Sequence, residues 1–197
     1  MTPLAVIRHG PTTWNEDGRV QGRADVELGS GGSAVVSGWR VPRRFDGFRW
    51  QSSPLRRARE TAVLLGADPA VEPALIEMDW GEWEGRRLAE IRAAGGAVVA
   101  DNEARGLDFR PPGGESPRDV QNRLQPWLAE IAVSGLPTAA VTHKGVIRAL
   151  LALAIDWDMT TKPPIRLVPA RAHLFAVDEA GVPSLDTPNI CLDGVSR

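Results

Sequence analysis

Several large classes of protein are excluded by what this 197-residue sequence lacks. It has a single cysteine, Cys191, so an internal disulfide is impossible and a reducing compartment fits, with the cytoplasm as the expected location. The longest apolar run, Ala149 to Ile155, is seven residues between Arg148 and Asp156, far short of the roughly 20 that a membrane helix needs. Arg8 and His9 stand where a signal peptide would still be apolar, so none is expected. A net charge of −2 gives no long-range field to gather nucleic acid or an anionic bilayer, and neither is expected as a partner. With only three histidines, no HxxxH or HxH spacing and no cysteine cluster, no metal is expected, and no cofactor is implied. The phosphate-binding GxxxxGK[ST] loop and the esterase GxSxG elbow are both missing, which removes those two hydrolase classes.

What is present reads as one α/β domain spanning residues 1–197, a three-layer sandwich with a mostly parallel central sheet and helices on both faces. Leu4 to Ile7 is a short buried strand ended by Gly10 and Pro11. A loop from Thr12 to Gly32, a weak helix from Ser33 to Trp39 and a strand from Phe48 to Ser52 follow. Ser53 and Pro54 read as N-cap and first residue of a helix that carries Leu55, Ala58, Ala62 and Leu65 on one face and stops at Gly66. The same Ser-Pro opening at Ser116 and Pro117 starts a second helix, in which Pro126 predicts a kink. Ala139 to Thr142 reads as a buried strand, Val146 to Ile155 as an enclosed helix, and Leu174 to Val177 with Val182 to Leu185 as a closing hairpin.

Two of the three histidines follow strands, in Arg8-His9-Gly10 and His143-Lys144-Gly145. If both strands lie mid-sheet, both imidazoles enter the crevice beyond the strand ends, where α/β folds bind ligands, and the glycines let backbone N–H groups approach one. Either histidine alone is better explained by packing; the repetition is what asks for a joint explanation. His173 reads as structural. Arg56, Arg57 and Arg59 crowd a helix start, where the dipole disfavours cations; an i,i+4 pair with Glu60 accounts for Arg56, and a phosphate docked there explains at least one of the others better. The stretch LIEMDWGEWEG, Leu75 to Gly85, sets four carboxylates among Trp80 and Trp83; most are expected to face solvent, and one held in an apolar setting would have a raised pKa suited to a general acid.

The ordered set RHGPTTWN, SPLRRARETA, LIEMDWGEWEG, PPGGES and VTHKGVIRALL, from residue 4 to about 155, resembles the histidine phosphatase superfamily, also called phosphoglycerate mutase-like. The resemblance implies that His9 is the nucleophile that becomes phosphohistidine, that Arg8, Arg57 and His143 form a phosphate pocket, and that Glu77 is the proton donor. It places Asn15 at the pocket and, less specifically, Gln21 and Gly22 beside the substrate. Lys144 stands where the family often has a small residue, and it and Gly145 are candidate substrate contacts. Two arginines and a protonatable imidazole would balance a phosphate dianion, and the arginines would keep His9 neutral.

Within that family, mutases resemble chains with a longer basic insertion between the acid motif and the GES motif. Here Glu77 and Glu115 are 38 residues apart, with Arg86, Arg87, Arg92 and Arg105 in a small helical cap expected around 86–110. The expected function is hydrolysis of a small phosphate monoester; phosphoglycerate mutase-type transfer and a non-catalytic phospho-ligand binder are the alternatives. Trp14, Trp80 and Trp83 could frame the leaving group or pack a core. The sequence carries no signal for an oligomeric state.

Overall fold

The computed structural model describes residues 1–192. Along the chain run β1 (Thr2–Arg8), α1 (Thr13–Glu16), α2 (Ser30–Ser37), β2 (Arg49–Ser52), α3 (Arg56–Leu64), β3 (Ala70–Val71), α4 (Leu88–Glu103), α5 (Pro117–Ser134), β4 (Thr138–Thr142), α6 (Lys144–Ala154), β5 (Arg171–Val177) and β6 (Pro183–Cys191). The six strands form one sheet in the order β3-β2-β4-β1-β5-β6. Pairing is parallel from β3 to β1 and antiparallel from β1 through β5 to β6. The parallel β1–β4 register sets Arg8 opposite Thr142, so His9 and His143 leave the middle of the sheet side by side.

The two-residue alternation of a strand divides the core. Leu4, Val6 and Ala140 pack against Leu124 and Leu128 of α5 and Leu150 of α6. Ala5, Ile7, Ala139 and Val141 face the other way, onto Ala58 and Ala62 of α3 and onto Phe45. Helices thus cover both faces, and each fully buried leucine contributes on the order of 1.5–3 kcal/mol of transfer free energy.

Local departures from expectation have identifiable causes. Ser53 is not a cap: its backbone N–H continues the sheet by donating to Val141 O, and its hydroxyl is taken by His143, so α3 starts only at Arg56. The Asp25 carboxylate accepts from the Arg56 N–H at 2.7 Å, so a side chain supplies an anion at this helix start. Arg56 pairs with Glu60 as expected, at 3.2 Å, and with Glu27. The expected loop from Thr12 to Gly32 contains α1, closed by a capping box between Thr12 and Asn15, and the weak helix begins earlier, as α2. Ser116 caps α5 by accepting from the Asp119 N–H, with Pro117 at the first position, and the helix runs unbroken through Pro126. The final hairpin is longer than the apolar residues alone indicated.

Residues 86–110 carry α4, interrupted at Gly96, and a 3-10 turn over Gly106–Asp108. Trp83, Ile91 and Val99 form a separate small core there, joined by Trp80 and Phe109. Trp80 and Trp83 are therefore packed together, 6.2 Å between ring centroids, with Phe109 against both.

Candidate active site

His9 follows β1 and is 5% exposed. Its backbone N–H donates to Thr142 O, which ties the turn to the end of β4. Its Nδ1 lies 2.7 Å from the Gly10 carbonyl. A carbonyl only accepts, so the ring proton sits on Nδ1 and the lone pair on Nε2. Burial holds the His9 pKa well below the usual imidazole range, and Arg8 and Arg57 lower it further. The arginines were expected to do this; burial is the larger cause.

His143, fully buried, precedes α6 with its ring centroid 5.0 Å from that of His9. Its Nε2 is 2.7 Å from Ser53 Oγ, and its Nδ1 has no partner among the described residues. Ser53 Oγ also accepts from the Leu55 N–H; we assign its own proton to Nε2 of His143, and with that assignment the proton of the neutral ring is on Nδ1. Burial, then His9 and Arg57, keeps this imidazole neutral too. At rest the protonatable imidazole expected here is neutral, so His143 offers an N–H rather than a charge.

Arg57 is completely buried in the first turn of α3. It donates from Nη1 to Ala24 O and from Nη2 to Gly22 O, both at 2.7 Å, while Nε has no partner among the described residues. Glu84 holds that loop by accepting from the N–H groups of Arg23 at 2.7 Å and Ala24 at 3.1 Å. Gly22 has φ +51°, and a Cβ there would stand 1.9 Å from Glu84 Oε1, so only glycine fits. Arg8 ends β1 partly buried, its Nε also without a partner among the described residues.

Glu77 is 8% exposed. Its carboxylate accepts from the Met78 N–H at 2.8 Å and the Gly145 N–H at 3.2 Å. Burial raises its pKa despite those bonds and the nearby Arg57 and Arg8. It is the carboxyl that the tryptophan-rich motif offered without singling out. A Cβ on residue 145 would lie 2.4 Å from Glu77 Oε1, so Gly145 is the space that lets the carboxyl reach the start of α6. The expectation that Gly10 and Gly145 leave their N–H groups for a ligand is corrected: Gly10 N–H donates to Thr61 Oγ1 at 2.9 Å, and Gly145 N–H to Glu77.

Asn15 Oδ1 accepts from the Thr12 backbone N–H at 3.1 Å, and Gln21 Oε1 from the Thr12 hydroxyl at 3.0 Å, so Thr12 links these two residues. Lys144 opens α6, its ammonium pKa lowered by partial burial and by Arg8 and Arg148. His173 is 2% exposed in β5, its Nδ1 accepting from the Asn189 N–H. Sequence reasoning missed Ser53, Thr61, Glu84, Glu115 and Arg123. Arg123, on α5, donates to the carbonyls of Ala74 and Ile76 and so holds the segment before Glu77; Glu115 pairs with Arg123 at 3.4 Å and with Arg23 at 2.7 Å. Glu84 and Glu115 lay in quoted motifs, but nothing local marked them as supports.

One imidazole lone pair, two guanidinium groups, a neutral N–H and a carboxyl inclined to hold its proton converge beyond the ends of β1 and β4. A tetrahedral dianion could be bound, attacked and given a proton there. The family model described as "Histidine phosphatase superfamily (branch 1)" matches residues 4–189. The chain is 34% identical over 178 residues to glucosyl-3-phosphoglycerate phosphatase of Mycobacterium tuberculosis, covering 82% of this chain and 79% of that protein. It is 31% identical over 162 residues to a 2,3-bisphosphoglycerate-dependent phosphoglycerate mutase of Methylobacterium radiotolerans, covering 75% and 76%. Among solved structures, mycobacterial glucosyl-3-phosphoglycerate phosphatase complexed with VO3 superposes with a TM-score of 0.80 at 28% identity, covering 96% of this chain and 100% of that one.

Proposed function

The chain belongs to the histidine phosphatase superfamily, and from that premise we propose that it is a metal-independent phosphatase of small phosphate monoesters that works through phosphohistidine on His9. The observation that carries this reading is the wiring of His9: its Nδ1 proton is committed to the Gly10 carbonyl, so Nε2 presents a lone pair between two cations. Nε2 attacks phosphorus as the ester P–O bond breaks, and Glu77 gives its proton to the leaving alkoxide. Nδ1 keeps its proton throughout, and the Gly10 carbonyl supports the charge that the ring acquires. A water then attacks phosphorus, Glu77 takes its proton, and the N–P bond breaks to release inorganic phosphate.

Arg8, Arg57 and the Nδ1–H of His143 hold the phosphoryl oxygens; catalysis of this transfer is chiefly positioning and electrostatic stabilisation. Gly22 acts by fixing Arg57 through its carbonyl, and Gly145 by fixing Glu77 through its N–H. Asn15, Gln21 and Lys144 flank the substrate. Ser53 is a positioning residue that sets which nitrogen of His143 carries the proton.

The test is rapid quenching with a 32P-labelled monoester. The expected result is protein-bound label that survives alkali, is lost in acid, is absent from His9→Ala and discharges to water. Turnover without any such label overturns the phosphohistidine route, and label that returns to 3-phosphoglycerate faster than to water establishes a mutase instead.

A further inference from the structure

Arg57 and Glu84 carry opposite charges that do not touch. Arg57 is fully buried, and its guanidinium is met by the carbonyls of Ala24 and Gly22, each at 2.7 Å. Glu84 is half-buried, and its carboxylate accepts from three backbone N–H groups: Arg23 at 2.7 Å, Ala24 at 3.1 Å and Trp80 at 3.3 Å. Neither side chain is in an ion pair among the described residues. A charge withdrawn from water without an opposite charge near it is costly, so each of the two gains from the field of the other.

A single peptide group joins them. The Gly22 carbonyl that accepts from Arg57 Nη2 and the Arg23 N–H that donates to Glu84 Oε1 are the two ends of the peptide between residues 22 and 23. A carboxylate bound to the N–H of a planar amide pushes electron density toward its carbonyl oxygen, and hydrogen bonds in such a chain strengthen one another. Arg57 is therefore held by a carbonyl made more negative from behind. Of the five guanidinium N–H groups, two are committed to carbonyls, which fixes the plane of the group and leaves three for an oxyanion. Burial lowers the Arg57 pKa, and the charges of Glu77, Asp25 and Glu84 oppose that fall.

The backbone on either side keeps Glu84 in this place. Trp83 is packed in the small core with Ile91 and Val99, while Gly85 N–H donates to Val20 O at 2.8 Å and Val20 N–H to Arg86 O at 2.9 Å. These bonds fix residues 84–86 against the stretch of chain that leads into Gly22, and the missing side chain at Gly22 lets the carboxylate close on its peptide. We propose that Glu84 is a positioning residue for phosphoryl transfer: through the Gly22–Arg23 peptide it holds Arg57 in the orientation that meets the transferring oxygens. A carboxylate in direct contact with Arg57 would compete with the phosphate dianion. Placed one peptide away, it supplies counter-charge and leaves the remaining N–H groups free. The proposal rests on the phosphatase reading above and deepens it.

Glu84 shares its segment with Glu77, so the test separates the two carboxylates. p-Nitrophenyl phosphate has a leaving group that needs little protonation, whereas the alkoxide leaving glycerol 3-phosphate needs an acid. Glu84→Gln is expected to lower kcat/KM about tenfold on both esters, through kcat, because removing a negative charge does not weaken the attraction of a dianion to the pocket. In an Arg57→Lys background, which has no fork for two carbonyls to hold, the same substitution should cost no more than about twofold. If Glu84→Gln does not fold, Glu84→Asp, which keeps the charge on a shorter arm, enters the same cycle and should show a loss that likewise vanishes beside Arg57→Lys. Equal losses in both backgrounds, or a loss confined to glycerol 3-phosphate, overturn the link to Arg57 and leave the phosphatase reading standing. A wild type that hydrolyses neither ester overturns that reading, and orthovanadate titration of the same four proteins then decides the link. Glu84→Gln should weaken orthovanadate binding about tenfold in the wild-type background and at most about twofold in the Arg57→Lys one; equal weakening in the two overturns it.

Discussion

The ends of β1 and β4 are adjacent, parallel and each followed by a buried neutral histidine, yet the two rings are wired through opposite nitrogens. His9 gives its Nδ1 proton to a backbone carbonyl and keeps a lone pair on Nε2. His143, as assigned, accepts a hydrogen bond on Nε2 from a serine hydroxyl and keeps an N–H on Nδ1. One residue type in one kind of location thus supplies both an electron pair and a hydrogen-bond donor. What separates them is a partner on the far side of each ring, since that partner fixes the tautomer.

This contrast is most open to attack through the rings themselves. His9→Ala should reduce kcat by about 10⁴-fold or more, because the proposed nucleophile is gone. His143→Ala should cost about 10²–10³-fold, the usual loss for one preorganised donor. Steady-state assays that show equal losses would break the asymmetry.

A smaller effect sharpens it. Ser53→Ala, which frees Nε2 of His143 to take the proton, should lower kcat about tenfold while KM moves little. Ser53→Thr keeps a hydroxyl and should restore most of the rate; a threonine variant as slow as alanine would remove Ser53 from the account.

The smallest effect extends the comparison to the third imidazole. Burial lowers the His173 pKa from 6.5 to about 4, so the native state stays neutral where the unfolded chain takes up a proton. The unfolded state then binds more protons, and stability falls as pH drops from 6.5 towards 4. His173→Gln should make that fall shallower by about 1.4 kcal/mol per pH unit. Urea unfolding of both proteins across the window measures it, and parallel curves would show that His173 is not titrating as described. His9 and His143 contribute with the same sign in both proteins and cancel in the difference.

Most of the sheet was legible because short apolar runs were punctuated by Gly and Pro, and α5 because Ser116 and Pro117 do locally what such residues do at a helix start. Ser53-Pro54 carries the same local signal and misleads, because a hydrogen bond to a residue 90 positions away takes the hydroxyl. The histidine pair was legible through scarcity and repetition. Arg123 was not: it reaches Ala74 and Ile76 across 49 and 47 residues, and on the helical pattern of α5 it reads as an ordinary surface arginine. The N–H groups of Gly10 and Gly145 were misassigned for a related reason. Thr61 and Glu77, which occupy them, arrive from other elements, and spacing along the chain carries no trace of that.

Arg57 has a consequence for how the folded chain responds to its surroundings. A fully buried guanidinium answered by two peptide carbonyls, with Glu77, Asp25 and Glu84 acting on it only from beyond ion-pairing distance, gains a direct counter-charge when an oxyanion arrives. An ion that binds only the folded form stabilises it by RT ln(1 + [L]/Kd), about 2.7 kcal/mol at a hundred times Kd. Inorganic phosphate, the product of the proposed reaction, is such an ion. Accumulating product would therefore compete with substrate for the pocket and, by the same contacts, protect the protein against heat: an idle catalyst would be the more durable one.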